Sequence, residues 1–337
     1  MVTSKEGLLL VNLGTPNAAT PEAITQYLTE FLLDRHVVDL PRLLWYPLLK
    51  YRIIPKRVPY IIKHYQKIWI EGNSPLLHYS QLLCNKLQQC LPNVQCELAM
   101  TYGDPTMQSA LNHLSSCTKI TVLPLFPQYS TTTTLAVLDK LNQLINHNQI
   151  TANINYIRDY ADHPSYINAL YLQIKQAFQQ QGEPEVLVLS YHGIPERYIH
   201  KRKEDYIERC EMTTQLLIEK CRENGINRPI QMAYQSKFGK GKWVEPNTSD
   251  VLKQLAKQGI KNVHVICPGF SVDCIETLYE IDEENRELFF NAGGKTFYYI
   301  PALNESDLQI SFIIELINHT QPLTFKNLCS NTLYSNT

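Results

Sequence analysis

The sequence predicts an α/β fold made of two similar doubly wound, Rossmann-like parallel-sheet domains with a cleft between them. Eight short apolar runs rich in β-branched residues fall at 7–13, 95–101, 119–125, 153–158, 185–191, 229–235, 262–267 and 296–301. That is the length and composition of strands buried on both faces. Longer segments with helical spacing of apolar residues separate most of them, the alternation expected of parallel sheets covered by helices. The two halves also echo each other. LLLVNLGTP (8–16) lies over LVLSYHGIP (187–195), and ITVLPLFPQYSTTTTL (120–135) over VHVICPGFSVDCIETL (263–278). Gly and Pro after a strand are common turn punctuation, so either match alone is weak and the pair carries the inference.

The first domain, 1–150, opens on a short apolar run that enters a Gly-Thr-Pro turn, which reads as a strand rather than a secretion signal. Next, LPRLLWYPLLKYRIIPKRVPY (40–60) mixes large apolar residues with Arg42, Lys50, Arg52, Lys56 and Arg57. Its three internal prolines make a poor buried helix. The segment reads either as an apolar, basic lip facing a membrane or a hydrophobic ligand, or as ordinary packing with snorkelling basic side chains. FPQYSTTTT (126–134) opens a helix with hydroxyls, for plain capping or for a phosphate. The second domain, 151–302, repeats the strand pattern. A C-terminal helix in 303–325 is expected to pack back on the first domain, followed by a tail, 326–337.

Composition narrows the function. A net charge of −1 provides no general attraction for nucleic acid. Nine scattered cysteines, without a C-x-x-C pair, indicate a reducing, cytoplasmic compartment. No stretch approaches the roughly 20 apolar residues that span a bilayer. Neither glycine-rich phosphate motif is present, so no nucleotide is expected.

Ligands of doubly wound sheets sit outside the carboxyl ends of the strands, and there the two copies differ. His192 stands where the first copy has Leu13, and Asp273 and Glu276 where it has Ser130 and Thr133. DCIETLYEIDEEN (273–285) carries six acidic side chains. At about 100° per residue, Asp273, Glu276, Glu280 and Glu284 fall within about 80° of one another on a helix. Like charges so spaced repel, so a cation or protons must accompany them. One imidazole with one or two carboxylates suits Fe2+ or similar divalent ions, and equally suits proton abstraction. Asp273 could instead be an N-cap, and Glu283, Glu284 and Glu287 read as a solvated face. YQSKFGKGKW (234–243) offers Ser236 and Lys237 to an anion and Trp243 to a flat ligand, unless it is a plain surface loop.

These motifs resemble the ferrochelatase family. The resemblance runs nearly end to end, through LLLVNLGTP, LPRLLWYP, EGNSPL, MTYGDP, FPQYS, SYHGIPERY, YQSKFGKGKW and CPGFSVDCIETLYEID. It implies insertion of Fe2+, as substrate, into protoporphyrin IX to form protohaem. His192 and Glu276 would stand at the metal, and Asp273 and Glu280 would continue a metal or proton path. Leu13, Tyr129 and Trp243 would line the porphyrin cleft, with Arg57 and Ser236 near its propionates. Many relatives have Asp-His where this chain has Asp273-Cys274, which leaves out a second histidine ligand. Cys329 stands alone near the C-terminus, so no iron–sulfur cluster is expected. Peripheral contact with the cytoplasmic membrane face and hand-over from a protoporphyrinogen-oxidising enzyme are further implied partners. The competing functions are a chelatase for another porphyrin or metal, and a non-catalytic haem or metal carrier.

Overall fold

The computed structural model describes residues 5–148, 150–238, 241–319 and 323–324. All eight apolar runs are strands. In order they are β1 (Glu6–Gly14), β2 (Val94–Tyr102), β3 (Lys119–Pro124), β4 (Asn153–Tyr156), β5 (Val186–His192), β6 (Ile230–Gln235), β7 (Asn262–Ile266) and β8 (Thr296–Ile300). They form two sheets, β2-β1-β3-β4 extended by a short β9 (Leu323–Thr324), and β6-β5-β7-β8. All pairings are parallel except that of β9 with β4. The strand order is the same permutation twice, and the sequence echoes fall on equivalent strands, β1 over β5 and β3 over β7. Because β4 pairs with β3, the first sheet runs past residue 150.

The offset between the copies drops from 179 residues at β1/β5 (8 to 187) to 143 at β3/β7 (120 to 263). The first half inserts more chain between its first two strands: α1 (Pro21–Leu33), α2 (Arg42–Leu48), α3 (Ile54–Ile68) and α4 (Pro75–Cys90). In the second half only two helices, Glu196–Arg202 and Tyr206–Glu223, fill the equivalent connection.

Alternate residues of the central strands feed different cores, the consequence of a period of two in a sheet covered on both faces. Leu8 and Leu10 join Leu187 and Leu189 in one continuous core that spans both sheets. Leu9 and Val11 face a second cluster, and Val186 and Val188 a third. The shared core includes Tyr166, Ile167, Leu170 and Ile174 of the helix Pro164–Gln181, which links the two sheets. The last described helix, Asp307–His319, packs on that linking helix and on α4. The tail 326–337, with Cys329, lies outside the described residues.

The segment 40–60 is helical despite its prolines, running from α2 through a π-helical turn, Leu49–Ile53, into α3. Pro47, Pro55 and Pro59 all lie on the exposed side, so the bend they favour faces water. Trp45, Leu49, Ile54 and Val58 point inward with Ile24 and Leu28 of α1. Trp45 also donates its indole N–H to the Leu32 carbonyl at 2.7 Å. The outward face is apolar: Leu43 is 91% exposed and Leu44 74%, with Tyr46, Leu48 and Tyr51 beside them.

Candidate active site

The site forms where β5, β6 and β7 end. His192 closes β5, half-buried, with Nδ1 2.7 Å from the carbonyl oxygen of Gly193. A carbonyl only accepts, so Nδ1 carries the proton and Nε2 keeps a free lone pair. The His192 carbonyl accepts from the Tyr206 hydroxyl at 2.9 Å, and Phe270 flanks the imidazole. Gly193 has no room for a side chain: a Cβ would lie 2.8 Å from the Gln235 carbonyl oxygen and 3.4 Å from the Trp243 ring. Trp243 is thereby seated against Gly193, the residue after the histidine. At the equivalent turn of the first copy, a Cβ on Gly14 would collide with the Tyr102 carbonyl, so close backbone approach explains both glycines of the echo.

After β7 the chain turns into a π-helix, Glu276–Asn285, rather than the α-helix that the spacing of acids assumed. Its wider turn, closed by i→i+5 bonds, splits the acidic row into members with different partners. Asp273 precedes the helix and is 2% exposed. Its Oδ1 accepts from Thr277 Oγ1 (2.8 Å), the Tyr299 hydroxyl (2.6 Å) and the Ala302 N–H (3.3 Å), and its Oδ2 from Asn304 Nδ2 (2.7 Å). These bonds engage both carboxylate oxygens of Asp273 in tying the turn after β7 to the chain around β8.

Glu280 accepts from the Ser236 amide at 2.6 Å and the Ser236 hydroxyl at 2.5 Å. Burial raises its pKa to about 7, and the charges of Glu276 and Glu284 push the same way against those two donors. Ser236, expected near a propionate, donates both its amide and its hydroxyl to Glu280 and sits at a left-handed φ of 64°. Glu283 and Glu284, expected to face solvent, are half-buried and reach α3. Lys67 donates to Glu283 and the Tyr60 hydroxyl to Glu284, each at 2.6 Å, while Tyr279 stacks on His64 with centroids 3.6 Å apart. Glu287 is exposed as expected.

Arg57 projects from α3 over the Phe238 ring at 4.2 Å. Burial lowers its pKa and the nearby Glu276 charge opposes that. The phenols of Tyr27 and Tyr65 also feel Glu276, and burial holds both protonated. Neither tyrosine stood out in the sequence, because helix-spaced aromatics read as core. Leu13 is the penultimate residue of β1, half-buried. Tyr129 has Arg158 over its ring at 3.7 Å, and burial pushes its pKa up to about 12. The hydroxyl-rich turn 130–134 already has an anion: Glu204, 3% exposed, accepts from the Thr131 amide at 2.7 Å and from the Thr131 hydroxyl. The chain's own carboxylate thus takes the place read for a phosphate. Among the described residues, no three His, Cys, Asp or Glu side chains converge as a metal cage.

The sequence profile of the ferrochelatase family matches residues 5–321. The chain is 47% identical over 326 residues to a protein of Pectobacterium atrosepticum named ferrochelatase, covering 95% of this chain and 100% of that one. It is 46% identical to a ferrochelatase of Yersinia enterocolitica, covering 94% and 98%. The solved structure of SirB from Bacillus subtilis with Fe3+ is similar in fold, with a TM-score of 0.57 at 13% identity over 93% of this chain and 94% of that one.

The Glu280 environment makes stability depend on pH. Its folded pKa, about 7, lies above the ordinary carboxyl value of 4.5, so the folded state binds more protons between those two values and loses stability as pH rises through them. Glu280→Gln removes that loss. Its Tm advantage over wild type should grow from about pH 4.5 to about pH 7 and then level off; a Tm difference independent of pH would place the Glu280 carboxyl at its ordinary pKa.

Proposed function

The chain belongs to the ferrochelatase family, and on that footing we propose that it inserts Fe2+ into protoporphyrin IX to form protohaem, with His192 and Glu276 at the entering metal. The family match over nearly the whole chain carries the activity. The residue roles rest on the free Nε2 of His192 and on the separate environments of the two glutamates.

Metallation removes two pyrrole protons as one Fe2+ enters, and the metal must leave the protein's ligands for the macrocycle. A complete cage would retain it. One imidazole and one carboxylate bind it while leaving positions open for the porphyrin nitrogens. Once the metal has passed to the macrocycle, His192 Nε2, whose single lone pair it no longer occupies, can accept a pyrrole proton. Glu280, with a pKa of about 7, can take up and release a proton near neutrality. Leu13 and Trp243, at strand ends or loops of opposite halves, supply apolar walls against which a flat ring can be held out of plane. Tyr129 brings a ring already covered by Arg158. Arg57 is a cation available to a propionate. Asp273 acts in this scheme as a brace of the β7 turn.

Among the described residues, no helix is long and apolar enough to cross a membrane. The exposed Leu43, Leu44, Tyr46, Leu48 and Tyr51, with Lys50, Arg52 and Lys56 alongside, support shallow contact of the lip with an anionic bilayer surface.

Two outcomes are expected. His192→Ala should reduce anaerobic Fe2+ insertion, followed by absorbance, by at least about 100-fold with the fold intact; wild-type turnover would remove His192 from the reaction. Leu43→Asp combined with Leu44→Asp should weaken sedimentation with anionic liposomes, and unchanged sedimentation would remove the lip as a membrane contact. Trp45 is no probe of this surface, because it is buried.

A further inference from the structure

Gln235, the last residue of β6, is 1% exposed and lies in register beside His192 on β5. Its carbonyl accepts from the Gly193 N–H at 2.8 Å, which fixes the residue whose own carbonyl orients the His192 ring. Its side-chain Nε2 donates to the main-chain carbonyl of Glu276 at 2.8 Å. One residue thus fastens the peptide after the histidine and the peptide of the glutamate.

The amide can be oriented only one way. Oε1 receives the Ser190 hydroxyl at 2.8 Å and the Cys267 thiol at 3.3 Å. A flipped amide would set Oε1 against the Glu276 carbonyl, acceptor against acceptor. Ser190 has a single hydroxyl proton, so its 2.7 Å contact with Thr248 must be a bond that Thr248 donates. A directed chain results, from Thr248 to Ser190 to Gln235 to Glu276, all of it buried except the last member. The same device recurs one turn on, where Asn285 Nδ2 donates to the Glu280 carbonyl at 2.7 Å. Side-chain amides thereby hold the π-helix carbonyls of both site glutamates.

We infer that Gln235 is a positioning residue for metal handling: it sets the spacing of His192 and Glu276 without touching the metal or the porphyrin. The inference rests on the placement of these two residues at the metal. A group that orients metal ligands from behind changes metal affinity by about 10- to 100-fold when lost, whereas the bonds of the Gln235 side chain go to Ser190, Cys267 and Glu276 and not to the porphyrin walls Leu13, Tyr129 and Trp243.

The test measures anaerobic Fe2+ insertion by Gln235→Met, which keeps volume and loses the donor, and by Gln235→Glu, which keeps the acceptor for Ser190 and Cys267 and sets an acceptor against Glu276. KM for Fe2+ should rise by about 10- to 100-fold in both, while KM for protoporphyrin stays within about twofold of wild type and the melting transition stays cooperative. An unchanged KM for Fe2+, an equal rise in both KM values, or unfolding of both variants would overturn the inference, the last two by showing a general structural role. His192→Ala run alongside separates the cases: if it retains activity, the underlying site assignment has failed, and if only the Gln235 variants behave as wild type, the positioning role alone has failed.

Discussion

The hydrogen bond from His192 Nδ1 to the carbonyl of Gly193 is the contact on which the rest of the site depends. It chooses the tautomer, and so decides that the nitrogen left for chemistry is a base and a ligand rather than a donor. For that bond to persist, the peptide after His192 must stay where it is. Gly193 is held by β6 through Gln235 and has Trp243 packed over it. A core shared between the two sheets then sets those strand ends relative to the first half of the molecule.

The acidic row is not a single electrostatic object. Asp273 is buried and anchored by four donors, Glu280 holds its proton to about pH 7, and Glu283 and Glu284 are tied to α3. This resolves the repulsion of closely spaced carboxylates by giving each a different partner or protonation state. Glu276 is left with the Arg57 cation nearby and with protonated phenols around it. The pairs between α3 and the π-helix also join the exposed lip mechanically to the helix that bears the site glutamates.

The strands were legible because buried parallel strands are continuous apolar runs, and the internal echo exposed the topology because both copies need glycine at the same turn. His192, Asp273 and Glu276 stood out as ionisable groups at strand ends that the other copy lacks, and Glu280 as the continuation of the acidic row. What stayed hidden was geometry that composition does not encode. The π-helix could not be read, since a 3.6-residue period is assumed when acids are assigned to a face. Asp273 and Ser236 carry side chains equally suited to a ligand or to a structural bond, and only tertiary partners show the bond. Gln235 sits unremarked at the end of a strand, and it matters through two peptides distant in sequence, one held by its main-chain carbonyl and one by its side-chain amide. The helical course of 40–60 was obscured by prolines, which interrupt helix bonds wherever they stand but leave the buried face of Trp45, Leu49, Ile54 and Val58 intact.

The central claim, a His192 ring fixed by its own backbone with Nε2 open to metal, is most directly tested by 15N NMR of histidine-labelled protein, using Zn2+ as a diamagnetic probe and His192→Ala to assign the resonance. In the neutral form of the ring the account predicts the His192 proton on Nδ1 and an Nε2 signal that shifts on addition of Zn2+. A resonance showing the proton on Nε2, or an Nε2 signal that Zn2+ leaves unmoved, would contradict it.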